Sequence, residues 1–337
     1  MKNVFFTAVA ACSLFIWGCK NSNDAPNVSH IQVNTKFIRY DSSFFGIDTN
    51  QVETELDRLF DNNPAFTRDY LYQVLALPPQ PDSVPSQVRN FIRTYKSVFE
   101  DAQKLYGKFE PLQKELTKSL QYAKYYFPEQ QLPEDITLFV GPINSFANVV
   151  TETGLGVGLQ LYLGATHPLY LTEEGQMLYP QFISRKFTQE YLLINTLQSL
   201  LEDWFPPLPP GKPLVAQMIE IGKRKYVLSK LFPGMADSLI LGYTDNQMKG
   251  CLKSEAFIWA FFAQNNLLFE TQPALIQEFV SDGPHTAAIS LEAPGNIGAF
   301  TGLAIVRKWM DKNKNSSLTE LMKKDPLQLF EEAKYKP

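Results

Sequence analysis

Five polar side chains have the types and positions to hold a ligand. Asn195, Gln198, Ser199 and Glu202 recur at i, i+3, i+4 and i+7, and Glu255 stands apart from them in an aromatic-rich run. On a helix that spacing places the first four on one face, while Leu193, Leu197, Leu200 and Trp204 form another. A catalytic zinc on such a face needs imidazoles one turn apart, as His-Glu-x-x-His supplies. The corresponding positions here read Asn195-Thr196-Leu197-Gln198-Ser199. Amides and a hydroxyl can hydrogen-bond a peptide or a glycan, but they do not hold zinc or deprotonate water. Elsewhere the histidines are His30, His167 and His285, none within four residues of another, so that motif cannot occur anywhere in the chain. A site built from His167, His285 and Glu202 or Glu255 would require two loops to converge, whereas isolated loop histidines are most often surface residues.

Other reactive constellations are missing too. There is no Gly-x-x-x-x-Gly-Lys-Ser/Thr phosphate loop and no Gly-x-Ser-x-Gly nucleophile elbow. Gly154, Gly156 and Gly158 open no helix directly after them, so they do not read as a dinucleotide fingerprint. Glu202 and Asp203 are adjacent on a helix and point about 100° apart, which prevents them from acting as a dyad. Cys251 sits in a helical pattern and reads as buried packing rather than a nucleophile.

The elements that must position the stripe are three strand-like runs, Ile136–Val140, Phe146–Val150 and Gly156–Leu163, followed by a helix over Glu190–Trp204. Strands feeding a helix with a polar stripe resemble the core of a zincin-type metallopeptidase from which the zinc motif has been lost. Around them the spacing predicts a strand within Ile31–Tyr40, helices over Gln51–Phe60 and Phe66–Leu77, and a proline-stiffened loop over Pro78–Pro85. Two longer helices through Val88–Leu105 and Leu112–Phe127 are expected to pair over the sheet. Ala165–Gln181 and Asp282–Gly295 read as long loops, and the first is a candidate binding edge. Leu214–Leu231 is a further helix, and Thr244 with Gln247 opens another that runs through Phe262, apolar on most sides and therefore expected to be central. Gly298 and Gly302, a helical turn apart, predict close packing against a neighbour. The expected class is α+β: a mainly helical single domain with a small central sheet.

Composition sets the outer limits. The 337 residues carry 45% hydrophobic and 20% charged side chains, enough apolar material for a substantial core. A net charge of −4 leaves no basic footprint for nucleic acid. Residues 1–18 read as a signal peptide, with Lys2 before an apolar run from Val4 to Trp17 that is too short for an ordinary membrane span. Ile16-Trp17-Gly18-Cys19 resembles a bacterial lipobox, which makes Cys19 the lipidated first residue of the mature chain. Residues 19–29 would then be a lipidated tether and 30–337 the folded domain. Cys251 is the only cysteine left after processing, and one thiol forms no internal disulfide.

Several blocks in order along the chain resemble the gliding-motility lipoprotein GldB family of Bacteroidota. They include Ile38-Arg39-Tyr40-Asp41, Tyr125-Tyr126-Phe127-Pro128, Gly156-Val157-Gly158-Leu159, Leu241-Gly242-Tyr243-Thr244, Glu255-Ala256-Phe257-Ile258-Trp259 and Ala293-Pro294-Gly295-Asn296-Ile297-Gly298. The resemblance implies a lipid-anchored envelope protein that supports gliding machinery, distantly similar to predicted zinc peptidases whose His-Glu-x-x-His it does not keep. The expected protein is a pseudoenzyme with no cofactor and no metal. Its expected partners are a membrane, through lipid on Cys19, and an envelope protein of the gliding machinery, and its expected place is the outer membrane facing the periplasm. The competing expectation is a metal-dependent hydrolase with a non-standard site.

Overall fold

A computed structural model describes residues 25–78, 80–209 and 211–337. Cys19 and the signal segment lie outside the described residues. The chain is a single α+β domain in which four short strands, β1 (Lys36–Arg39), β2 (Asp135–Phe139), β3 (Asn148–Val150) and β4 (Gly154–Gly158), form one sheet in the order β1-β2-β4-β3. The β1-β2 and β2-β4 pairs are parallel, whereas β3 runs antiparallel to β4.

Alternation along the strands gives the sheet two different faces. Ile136 and Leu138 of β2, with Leu155 and Val157 of β4, enter the main hydrophobic core. Phe139 points the other way, into a separate aromatic cluster with Tyr40, Phe44, Phe66 and Tyr70. Rings there meet edge-on, Tyr40 with Phe66 at 4.8 Å and Phe44 with Tyr70 at 4.8 Å between centroids, and the Tyr70 hydroxyl donates to Val140 O at 2.7 Å. Gly156 of β4 makes room for this packing. A Cβ on Gly156 would lie 2.6 Å from Val149 Cγ1, 3.1 Å from Phe139 and 3.2 Å from Phe66. Gly156 is therefore a requirement of the aromatic layer, whereas a Cβ on Gly154 or Gly158 would meet the backbone oxygen of Asp135 or Phe146.

The chain turns directly from β1 into α1 (Tyr40–Phe45), then builds the aromatic layer from α2 (Val52–Asn62), α3 (Pro64–Asp69) and a π-helical turn at Tyr70–Val74. At the β1-α1 junction the fully buried Asp41 accepts from Arg39 Nε at 2.9 Å, Arg39 Nη2 at 2.7 Å and Gln103 Nε2 at 2.8 Å. Arg39 Nη1 also donates to Tyr106 O at 2.7 Å. Gln103 and Tyr106 belong to α4 (Val84–Tyr106), so this cluster fastens the long helix to the sheet edge. The strand expected within Ile31–Tyr40 shortens to four residues because pairing with β2 starts only at Lys36–Asp135.

α5 (Glu110–Tyr126) follows α4 after a break at Gly107, but the two helices pack on different neighbours: α4 on α1 and α2, α5 on the helices of the second half. After β4 come a 3-10 turn at Leu159–Leu161 and the short helices α6 (Pro168–Leu171), α7 (Glu173–Leu178) and α8 (Gln181–Ser184). The segment expected to be a loop is thus largely helical, and the expected strand to Leu163 ends at Gly158. α9 (Gln189–Trp204) covers β3 and β4, and α10 (Leu214–Leu231) lies beside it.

The remaining helices are α11 (Asp237–Leu241), α12 (Asp245–Lys253), α13 (Glu255–Gln264), α14 (Pro273–Val280), α15 (Ile297–Lys312), α16 (Leu318–Lys323) and α17 (Pro326–Ala333). The capping box is present, with Gln247 N donating to Thr244 Oγ1 at 3.2 Å and Thr244 N to Gln247 Oε1 at 2.9 Å. The helix it opens is broken at Ser254, and its second part is not central. Only Ile258 and Phe262 of α13 are buried, whereas Phe257 is 62% exposed. The central helices are α10 and α15, which cross at Gly222 and Gly302. A Cβ on Gly302 would lie 1.8 Å from Met218 O, and one on Gly222 would lie 2.2 Å from Gly302 C.

Candidate functional site

α9 turns its apolar side, Leu193, Leu197, Leu200 and Leu201, into the core. Its half-buried polar stripe remains at the edge of a cleft of 410 Å³ between α9, α10, the end of α11 and the chain at 280–282. Asn195, Gln198 and Glu202 line this cleft. Ser199 is on the same helix but outside the lining, and Glu255 is elsewhere in the fold, where its Oε1 accepts from the Tyr335 hydroxyl at 2.6 Å. Glu255, expected to help hold a ligand, is instead partnered with the C-terminal segment.

The opposite wall comes from residues that sequence reasoning did not select: Lys186, Arg224, Lys225 and Asp282. Lys225 Nζ donates to Gln198 Oε1 at 3.0 Å, and Gln198 Nε2 donates in turn to Glu202 Oε1 at 3.0 Å. Lys186 Nζ meets Asp282 Oδ2 at 2.5 Å. Behind the stripe, Asn195 Nδ2 donates to Tyr162 Oη at 3.1 Å and the Tyr162 hydroxyl to Asn148 Oδ1 at 2.5 Å, so Asn195 is anchored to β3. Burial pushes the Tyr162 phenol well above its ordinary value, keeping it a neutral donor.

The one signal that could have revealed the basic wall is Lys223-Arg224-Lys225, a run of three cations within the mainly apolar α10. Lys223 is fully buried and structural, bonding Glu220 at 2.5 Å and the Lys324 carbonyl that ends α16. Arg224 bonds Glu220 Oε2 at 3.2 Å and Phe205 O at 2.7 Å.

Burial pushes the Lys225 ammonium down to about 8, Lys186 adds repulsion, and Asp282 and Glu202 offset part of the shift. An unfolded lysine titrates near ~10.4. Between those values the unfolded chain holds a proton that the native chain has released, so stability contributed by this site rises with pH and is lowest below about 8. Replacing the ammonium by an isosteric apolar group, Lys225→Met, is therefore expected to stabilise the fold near neutral pH by up to roughly 3 kcal/mol. Urea denaturation of both proteins from about pH 7 to about pH 10 should show that gain shrinking as pH rises. A gain independent of pH, or a loss, contradicts the burial of this charge.

The lining contains neither histidine nor cysteine, and the hydroxyl of Ser281 is committed to Gln277 Oε1 at 2.5 Å. Among the described residues no three His, Cys, Asp or Glu side chains converge on a common point. His167 is near α4, with Nε2 3.1 Å from Asp101 Oδ2 and Nδ1 accepting from Leu169 N at 3.2 Å as the cap of α6. His285 is in the segment before α15 and does not line the cleft. The two loops proposed to unite the histidines do not build one site. Cys251 is buried, with its thiol pushed up to about 12 by burial, consistent with packing rather than nucleophilic use.

The family model for the gliding motility protein GldB matches residues 21–337. The chain belongs to this family. Membership makes it a gliding-motility lipoprotein, a membrane-anchored protein of the cell envelope. No curated protein and no solved structure matches it. Among the described residues no helix is long and apolar enough to cross a membrane. The blocks that carry the GldB resemblance have identifiable work in the fold. Arg39 and Asp41 make the junction clamp, and Gly156 admits the aromatic layer. Gly242 and Asn296, from two further blocks, line the cleft. Asn296 adopts a left-handed conformation, φ 57°, immediately before α15, and the Tyr243 hydroxyl donates to its carbonyl at 2.7 Å.

Proposed function

We propose that this GldB-family chain is a non-catalytic binding protein, held to the periplasmic face of the outer membrane by lipid on Cys19, and that the α9–α10 cleft receives an envelope partner of the gliding machinery. The observation that carries this reading is the hydrogen-bonded row Lys225-Gln198-Glu202. It links the polar side chains of the cleft to one another, and among the described lining residues there is no histidine or cysteine and the serine hydroxyl is committed to Gln277. Such a row can exchange bonds with an incoming polar segment at low reorganisation cost.

Two sets of variants test this in the source bacterium lacking its own copy of the gene, with colony spreading as the readout. The pair Gln198→Leu with Glu202→Leu is expected to abolish spreading while leaving the protein at its normal level in the membrane. The pair His167→Gln with His285→Gln is expected to spread like the parent. The reverse pattern, together with near-stoichiometric zinc in the purified protein by elemental mass spectrometry, would favour the hydrolase alternative.

A further inference from the structure

The charges around the cleft are unequally partnered. Lys186 is paired with Asp282, and Arg224 with Glu220. Lys225 has only the neutral amide of Gln198, with no carboxylate within ion-pair distance of its Nζ among the described residues. The remaining carboxylate of the lining, Glu202, accepts from Gln198 rather than from Lys225. Lys225 is thus left without an ion-pair partner in a half-buried place, where an unpaired ammonium is costly.

Two lining residues also carry buried atoms without a hydrogen-bond partner. They are Arg224 Nε, a donor, and Asn296 Oδ1, an acceptor. Buried polar groups are nearly always satisfied in native proteins, so a donor and an acceptor left over on two residues of the lining fit a ligand offering both kinds of group. The ligand must also bring a single negative charge. A phosphate or sulfate dianion would bring a second negative charge to face Glu202 and Asp282, whereas a neutral glycan leaves Lys225 unpaired. A peptide meets all three conditions, with a carboxylate, amide carbonyls and amide N–H groups.

We propose that the cleft binds a peptide segment through a carboxylate seated on Lys225 Nζ, with the amide groups of the peptide engaging Asn296 Oδ1 and Arg224 Nε. This rests on the reading of the cleft as the partner site and names the chemistry of the partner. Pairing with a carboxylate draws Lys225 back toward its ordinary titration range against burial and the repulsion of Lys186. Binding just above pH ~8 then takes up a proton, and affinity falls as pH rises further.

The test uses the full chain in detergent micelles and arrays of random octapeptides anchored at their amino ends. One array carries free C-terminal acids, a second C-terminal amides, and a third free acids with Asp and Glu replaced by Asn and Gln. Sequences that bind are expected to lose at least about tenfold in affinity when the contributing carboxylate is neutralised, and to lose a similar factor against Lys225→Met. The control Lys230→Met, on α10 but outside the cleft lining, should bind like the parent. Comparison of the three arrays tells a terminal carboxylate from a side-chain one. In calorimetry on a selected peptide, heats in buffers of different ionisation enthalpy should report proton uptake in the parent and none in Lys225→Met. Binding that ignores carboxylate neutralisation, binding undiminished by Lys225→Met, displacement by inorganic phosphate alone, or the absence of any binding peptide would each overturn the proposal. In that event loss of spreading in the α9 variants would still uphold the cleft as the partner site, with a ligand of other chemistry. Melting of Lys225→Met at or above the parental temperature confirms that any lost binding is not lost folding.

Discussion

Gly302→Val is expected to destabilise the protein by at least about 4 kcal/mol and to leave little folded chain in the cell. At the α10–α15 crossing the backbones touch, and even a Cβ at residue 302 would stand 1.8 Å from Met218 O. That contact cannot be relieved by rotating a side chain, because the obstructing atoms belong to the backbone of α10. The helices must separate, and separation would open the contacts of Met218, Ile219, Leu303 and Val306 in the main core. Gly250 in α12 supplies the contrast, since a Cβ there meets nothing within 4 Å. Gly250→Ala should stabilise by about 0.5–1 kcal/mol through helix propensity alone. Chemical denaturation of the two variants beside the parent measures both signs, and a Gly302→Val protein of ordinary stability would contradict the close crossing.

Asp41→Ala is the second large effect. The carboxylate is fully buried and accepts from Arg39 twice and from Gln103 once. Removing it strips the guanidinium of its bidentate partner in a largely enclosed setting, with an expected loss of about 3–5 kcal/mol. Removing the cation as well should recover part of that loss. A double-mutant cycle of Asp41→Ala with Arg39→Met is expected to give a coupling of more than about 1 kcal/mol. Simple additivity would mean that the two residues act separately and that the junction is held by packing.

The sequence was most legible where one periodicity ruled a whole element. Leu214–Leu231 is a helix with the bounds expected from its pattern, and the capping box at Thr244 and Gln247 forms as the residue types dictate. Reading failed where two elements met without a Gly or Pro signal. The run after Thr244 looked continuous, but Ser254 takes φ −110°, ψ 15° and splits it, and the aromatic-rich half turns outward to meet the C-terminal segment through Trp259, Phe330 and Tyr335. Hydrophobicity alone could not show that α13 covers the core rather than fills it. Proline-rich and polar stretches misled in the other direction, since Ala165–Gln181 holds two short helices.

The site was half legible for a related reason. The α9 stripe is local, so its period places Asn195, Gln198 and Glu202 on one face whatever surrounds them. Lys186, Lys225 and Asp282 reach the same cleft from three separate segments, and only tertiary packing brings them there. Single residues such as Glu255 and the three histidines carry no period, and each proved to have its own separate environment.

The order β1-β2-β4-β3 also sets a timetable for folding. β2, β4 and β3 are close neighbours in sequence, but Lys36 of β1 pairs with Asp135 across the whole of α1 to α5. Closing that loop costs chain entropy before any ladder bond repays it, so the edge strand should be zipped on last, after the three-stranded unit has docked on α9. In stopped-flow experiments, Ile38→Val should then speed unfolding and leave refolding nearly unchanged, while Val157→Ala should slow refolding. Equal slowing of refolding by both would mean that the long loop closes early. With the late order, Arg39 and Asp41 act as a latch that governs how long the native state lasts rather than how quickly it is reached.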